Sequence, residues 1–358
     1  MKICLLADAE SIHTVRWCNH FAEHGFDVHL ISFKQAQIPG IKTYHVNAGT
    51  INVSGGNWRV ILQYSKVKAL IKQINPDVLH SLYATSYGLV GALTGFKRYI
   101  VTPLGTDILI SPNNSAIYRF ILRFVFKRAK IITTMAPHMT EAMLRLGVDG
   151  DKIKKIIFGI NTSIFNLNKH KVSDSEFLIA SIRNFETVYN IPHFLKAVAL
   201  IKDQIPNLKV KLVGDGSLKQ QLIDLSMELK IEDVVSFLGK VPQADVVQLL
   251  SEARIAVTTS LSDGNSLSLL ESMACGAYPI ATDIPANRHW VIDGVNGKLV
   301  KIDDVNALAD AIMKVYRNYN TLMPVAISKS EEILAQKGTW QVNMQKMEEI
   351  YKNVANLK

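Results

Sequence analysis

Residues Arg254 to Asp283 read RIAVTTSLSDGNSLSLLESMACGAYPIATD. Two short apolar runs, RIAVTT and YPIATD, bracket a segment of helical spacing from Leu267 to Ala274. Neither run alternates apolar with polar residues, which is the pattern of strands buried on both faces of a parallel sheet. Ser262 to Asn265 form the loop into the helix, Ser266 is its expected N-cap, and Gly276 ends it. Strand, helix and parallel strand make a βαβ unit, and the repetition of that unit decides the fold.

Upstream, FLIASI, KVKLVG and VVSFLG are further strands, with helices expected at Ser217–Lys230 and Gln243–Ala253. In the first half KICLLA, DVHLIS, TYHV, DVLHSL, YIVTPL and KIITTM alternate with helical segments, among them Val15 to His24 closed by Gly25. The expected architecture is α/β, with two Rossmann-like domains and a cleft between them. The joint is placed at Asn161–Asp174, a polar stretch without a clear period. The expected domains are residues 1–165 and 166–335, followed by a C-terminal helical segment at 336–358. In that segment Trp340, Met344, Met347, Ile350 and Tyr351 mark a packing face, and the N-terminal domain is one candidate for its partner.

At 358 residues the chain exceeds the usual size of one domain, and 48% hydrophobic content suits large cores. No run of about 18 uncharged apolar residues occurs, so no spanning helix is expected. The start, MKICLLADAE, turns acidic too early for a signal peptide. Cys4, Cys18 and Cys275 make no disulfide framework, which favours a reducing cytoplasm. His20 and His24 fall one helical turn apart, but no HExxH and no Cys/His cluster supplies a third ligand, so no metal site is expected.

The net charge of +9 is uneven: residues 1–165 hold 19 Lys+Arg against 9 Asp+Glu, and the rest 21 against 22. The first half is therefore expected to face something anionic. Its most basic stretch, IYRFILRFVFKRAK (Ile117–Lys130), has five cations and no acid. On a helix Arg119, Arg123, Lys127 and Lys130 share one face, with Phe120, Ile121, Phe124 and Val125 elsewhere. Such a helix suits an anionic membrane surface; an ordinary surface helix packed on a core is the alternative. Nucleic acid is not expected, since no RNP-type motif, zinc finger or aromatic groove accompanies the charge.

In open α/β sheets, ligands bind beyond the carboxyl ends of the strands. The free N–H groups of Ser266 and Leu267 can hold a phosphate or sugar hydroxyl there. The nearby carboxylates of Asp263 and Glu271 suit hydroxyl-rich ligands, with capping or surface charge as the ordinary alternative. A second strand–loop–helix lies at VGDGSLKQQL (Val213–Leu222). It lacks the third glycine and distal acid of a dinucleotide fingerprint, which argues against NAD.

LSDGNSLSLLESMACGAYPIATDIPANRHWVIDGVNGKLV (Leu261–Val300) resembles the donor-site signature of family 4 retaining glycosyltransferases, which have the GT-B fold. VGDGSLKQQL, the arginine after LIASI and the linker FGINTSIF follow that family's order too. Ser11-Ile12-His13-Thr14, PDVLHSLYATSYG and TPLGTD are similar to its acceptor-side loops. The resemblance implies a metal-independent transferase moving a hexosyl or N-acetylhexosaminyl group from a nucleoside-diphosphate sugar, expected to be UDP-linked. The acceptor would be a hydroxyl of a glycan or lipid-linked molecule in bacterial cell-surface polysaccharide or glycolipid synthesis, at the inner face of the membrane.

By the same resemblance Glu271 would accept the ribose hydroxyls and Asp263 would lie by the donor sugar. Ser262, Gly264, Asn265, Ser266 and Leu267 would line the donor, and Gly214 and Gly216 would let backbone approach the nucleotide. Arg183 would face the diphosphate, where a guanidinium fork fits phosphate oxygens; an ion pair to Glu186 is the alternative. Ser11, His13, Thr14, Arg16, Tyr83 and Gly105 would stand on the acceptor side. Three departures from the family pattern matter. Asp263 stands where Glu is usual, Thr187-Val188-Tyr189-Asn190 where a second basic residue is expected, and Leu104 where a histidine is common. Asp107 therefore joins Arg183 and Asp263 as a candidate for the reacting centre, with turn capping as its alternative. A sugar-nucleotide epimerase and a non-catalytic sugar-nucleotide-binding subunit are the rival readings.

Overall fold

The computed structural model describes residues 1–49 and 58–357. The chain forms two compact units, Met1–Ile156 with Val342–Lys358, and Ile157–Gln341. The first contains strands β1 (Lys2–Leu6), β2 (Asp27–Ser32), β3 (Lys42–His45), β4 (Val78–Leu82), β5 (Tyr99–Thr102), β6 (Ile131–Thr134) and β7 (Ile153–Lys155). They form one parallel sheet in the order β3-β2-β1-β4-β5-β6-β7. The second contains β8 (Phe177–Ser181), β9 (Leu208–Val213), β10 (Val235–Gly239), β11 (Ile255–Thr258), β12 (Tyr278–Thr282) and β13 (Lys298–Val300). These too are all parallel, in the order β10-β9-β8-β11-β12-β13.

Each unit is thus a Rossmann-like doubly wound sheet. Its order reverses once, between β1 and β4 in the first unit and between β8 and β11 in the second, and ligands bind at such switch points. Strands β4, β5, β8, β11 and β12 are buried along their whole length, which is why their sequences show no alternation. In the central register Leu5 lies opposite Leu30 and His80, and Ile255 opposite Ile179 and Tyr278.

The structure departs from the sequence reading at the edges. Strands β7 and β13 have three residues each, mostly part-exposed, and offer no apolar run to read. The joint falls at 156/157 rather than 165/166, because Ile157, Ile160 and Phe165 are buried in the second unit's core. Ile160 also bridges to Thr339, so the polar stretch after it belongs wholly to that unit. The basic helix spans Ala116–Arg128, leaving Lys130 beyond its end and off the expected face.

The helix Trp340–Ala355 enters the first unit at Val342. There the Tyr351 hydroxyl accepts a hydrogen bond from Trp17 Nε1 (2.9 Å) and lies 2.6 Å from His80 Nδ1. Among the described residues, no helix is long and apolar enough to cross a membrane.

Candidate functional site

In the second unit, Arg183 leaves the carboxyl end of β8 and Asp263 stands five residues past the end of β11. Their side chains, 10% and 15% exposed, form an ion pair through Nη2 and Oδ2. Arg183 also donates to Ser260 Oγ (2.7 Å) and Ser268 Oγ (3.0 Å). Burial works against its charge, but the carboxylate of Asp263, with Glu271 adding, holds the guanidinium above its ordinary value.

Where the sequence lacks a second cation, an aromatic face stands against Arg183. The turn Thr187–Tyr189 sets the Tyr189 ring 4.4 Å from the guanidinium carbon, a cation–π contact. Glu186 does not pair with Arg183; it accepts from Ser217 N (3.0 Å) and Ser217 Oγ (2.7 Å). Tyr189, Ser260 and Ser268 are site residues that sequence reasoning missed. Ser260 and Ser268 lie within the quoted signature, but nothing local says that their hydroxyls turn toward Arg183.

The helix Leu267–Ala274 follows Ser266, which is fully buried and at the N-cap position, yet makes no side-chain cap. Ser266 Oγ lies instead 3.5 Å from Ser268 Oγ. Asn265 is an internal strut: its Nδ2 donates to the Phe158 carbonyl (2.9 Å) and its Oδ1 accepts from Trp290 Nε1 (2.9 Å). Its backbone N–H donates to Asp263 Oδ1 at 3.2 Å, tying the loop's first acid to its bend. Ser262 is half-buried and Gly264 buried in the same loop. Glu271 is half-buried on the helix, and its charge reaches both Arg183 and the Cys275 thiol.

Gly214 and Gly216 have an immediate local task. Gly214 has φ +151°, and a Cβ there would collide with the Arg183 carbonyl; one at Gly216 would lie 2.5 Å from the Phe185 carbonyl. The glycine loop therefore lies directly against the backbone that carries Arg183. Phe185 N donates to the Asp215 carbonyl (3.0 Å) and Leu218 N to the Phe185 carbonyl (2.9 Å).

In the first unit the loops after β1, β4 and β5 carry the expected acceptor-side residues. Ser11 is at the N-cap position of helix Ile12–Glu23 without a side-chain cap. On that helix Thr14 is buried, and His13 and Arg16 are half-buried. Tyr83, just past β4, has φ +83°, rare for a residue with a Cβ, and its hydroxyl lies 3.1 Å from Thr106 Oγ1. Gly105, with φ +133°, opens the turn before Asp107. Asp107 is fully buried and accepts from the backbone N–H groups of Ala84 (2.6 Å), Gly105 (2.9 Å) and Leu104 (3.1 Å). Burial pushes its carboxyl up to about 6, against the pull of those N–H groups. Those bonds are the turn-capping role; they join the β4 and β5 loops.

Residues 163–331 match the family model described as glycosyl transferases group 1, and residues 2–136 that described as glycosyl transferase 4-like. The chain is 27% identical over 314 residues to N-acetyl-alpha-D-glucosaminyl L-malate synthase of Bacillus anthracis, covering 83% of this chain and 81% of that one. Among solved structures, sucrose-phosphate synthase from Thermosynechococcus elongatus is similar with a TM-score of 0.85 and 20% identity, over 99% of each chain. Anabaena HepE in complex with UDP-glucose is similar with a TM-score of 0.80 and 17% identity, over 100% of each chain. Two Rossmann-like units with these matches define a glycosyltransferase of the GT-B fold. The chain belongs to the family 4 glycosyltransferases.

Proposed function

We propose that this enzyme transfers a hexosyl or N-acetylhexosaminyl group from a UDP-sugar, with retention, to a hydroxyl of a glycan or lipid-linked acceptor in bacterial cell-surface polysaccharide or glycolipid synthesis. The observation that carries the reading is the Arg183 cluster at the β8/β11 switch point, beside the helix that holds Glu271. When the donor binds, diphosphate oxygens replace the Asp263 carboxylate on the guanidinium fork, and Asp263 turns to the sugar hydroxyls. Glu271 accepts hydrogen bonds from the ribose. The N–H groups of Ser266 and Leu267 add the partial positive charge of a helix N-terminus.

As the bond from the anomeric carbon to the phosphate oxygen breaks, the negative charge grows on the leaving diphosphate, where Arg183 stabilises it. The acceptor oxygen bonds to the same face of that carbon, and its proton passes to a phosphate oxygen of the leaving group. No metal is needed for this charge, since a guanidinium and a helix end supply it. The enclosure of Asp107 by three N–H groups supports a role in shaping the acceptor loops rather than in the reaction itself.

The membrane reading rests on helix Ala116–Arg128. Ile117 and Phe120 are 70% and 73% exposed, and Arg119, Arg123, Lys127 and Arg128 are exposed on the same helix. Among the described residues none of these four cations has an acidic partner. Exposed apolar side chains flanked by cations suit the boundary between headgroups and acyl chains. Arg123, Lys127, Arg145 and Lys152 also line a cavity of about 620 Å³ whose one acid is Asp149, a fit for a lipid phosphate. These features support a peripheral position on the inner face of the membrane.

The test incubates purified protein with a panel of UDP-sugars, first alone and then with lipid extract or glycan acceptors, and reads the product's anomeric configuration by NMR. Sugar transferred with retention is the expected result. Conversion of the donor to an epimer without acceptor would replace this reading with an epimerase, and donor binding without turnover on any acceptor would favour a binding subunit.

A further inference from the structure

We propose that His20, His24 and Glu348 form a binding site for a divalent ion of the zinc class, which clamps the C-terminal helix to the first helix of its unit. His20 and His24 lie one turn apart at the end of helix Ile12–Glu23, beside the carboxylate of Glu23. The fold supplies a third ligand from helix Trp340–Ala355, where Glu348 brings a carboxylate oxygen to 3.4 Å from His20 Nε2. One donor atom from each of the three residues lies within 4.8 Å of the others.

Several features favour an ion over a plain ion pair. A separation of 3.4 Å is long for an N–H···O bond, whose usual length is about 2.9 Å. Two ligands at about 2.1 Å from a tetrahedral zinc, by contrast, stand about 3.4 Å apart. The imidazole of His24 is already set for coordination. Its Nδ1 lies 2.7 Å from the His20 carbonyl, which only accepts, so Nδ1 donates there and Nε2 is the nitrogen left for a metal. A carbonyl holding the far nitrogen of a histidine is the usual support of a metal ligand.

The His20 and His24 rings stack at 4.0 Å with 27° between their planes, and His24 is exposed, so turning both in-plane lone pairs onto one ion requires rotation of a surface side chain. The end of a helix also carries partial negative charge that favours a cation. Two imidazoles and a carboxylate, with water as a fourth ligand, form a donor set that suits zinc.

What such an ion would join is already in contact. Phe21 and Tyr351 pack edge to face at 5.0 Å, and Trp17 donates to the Tyr351 hydroxyl between the same two helices. The clamp would therefore strengthen an existing seam. It uses no residue assigned to the donor or the acceptor.

The experiment strips the full-length protein with a chelator, desalts it, and titrates Zn²⁺ by calorimetry, with melting followed in parallel. One Zn²⁺ per chain and a raised Tm are expected. Tetrahedral Co²⁺ absorption should appear when cobalt is used instead. His24→Ala, at an exposed position, and Glu348→Gln, of the same shape, should each weaken Zn²⁺ binding at least about tenfold and abolish the Tm rise. Absence of stoichiometric binding, or unchanged Zn²⁺ binding in both variants, would overturn the assignment. Retained UDP binding by the stripped protein would show that the donor site is intact while the clamp is tested.

Discussion

Arg183 and Asp263, 80 residues apart, are ion-paired across the two strands between which the second sheet reverses its order. Each is nearly buried, so neither charge is stable there without a partner of opposite sign. The pair therefore keeps a guanidinium charged at the switch point, where the diphosphate of the proposed donor would take over the carboxylate's role. Three hydroxyl or ring contacts, from Ser260, Ser268 and Tyr189, would be idle without that charge, and the predictions begin from it.

Replacing Arg183 by lysine keeps a charge but loses the fork that reaches Ser260, Ser268 and Asp263 together. We expect kcat/KM to fall about 10²- to 10³-fold, mostly in kcat, since the interaction grows as the diphosphate leaves. Asp263→Asn should lower stability by about 3 kcal/mol in the free protein. Saturating UDP should narrow that gap in melting experiments, because the diphosphate neutralises the same guanidinium. A gap that UDP leaves untouched would remove Arg183 from the diphosphate.

Glu271→Gln separates ribose recognition from phosphate recognition. Hydrogen bonds to a charged acceptor contribute about 1.5–3 kcal/mol, so UDP should bind roughly ten- to a hundredfold more weakly. Pyrophosphate, which has no ribose, should bind as before. Equal losses for both ligands in calorimetry would mean that Glu271 acts through Arg183 instead.

Gly214→Ala tests the glycine loop. A Cβ there meets the Arg183 carbonyl at a φ that side chains rarely adopt, so the loop must move away. A loss of more than about 1 kcal/mol in stability is expected, together with weaker UDP binding. Gly25→Ala, with φ +79° but nothing within 4 Å of its Cβ, should lower stability and leave UDP binding unchanged.

His80 is expected to make the first unit acid-sensitive. It is fully buried between Tyr351 (2.6 Å) and Thr102 (2.7 Å), and burial pushes its pKa down to about 3. Unfolded, it titrates near 6.5, so between those values the unfolded chain binds the extra proton and acid favours unfolding. This histidine should cost about 1.4 kcal/mol per pH unit as pH falls through that window, and nothing above it. Melting curves of His80→Gln should show a shallower dependence on pH below 6.5; an unchanged slope would count against it.

Reversing Arg119, Arg123 and Lys127 to glutamate should release the protein from vesicles containing anionic lipid, and raised salt should do the same to the native chain. Phe120→Ser should weaken binding without changing its salt dependence. Vesicle sedimentation that none of these alters would leave helix Ala116–Arg128 as an ordinary surface helix.

The alternation of strands and helices is legible in the sequence because it depends on neighbours within a few residues: a buried strand needs an unbroken apolar run, and a helix needs its 3.6-residue period. The loop and helix around Asp263 and Glu271 were readable for the same reason. Strands β7 and β13 were not, since three mostly part-exposed residues at a sheet edge carry no such signal. The same limit applies to Lys130, which the spacing places on a helix that in fact stops at Arg128, where the chain turns extended toward β6.

Local order along the chain encodes the list of βα units and the residue types at their loops. The tertiary structure decided the pairing. It turned Ser260, Ser268 and Tyr189 toward Arg183, set Asp107 into a ring of N–H groups, and brought Glu348 to His20 from the far end of the chain. The physical reason is range. Backbone sterics and periodicity act within a turn or a strand, whereas partners for a buried charge are chosen by how distant elements pack.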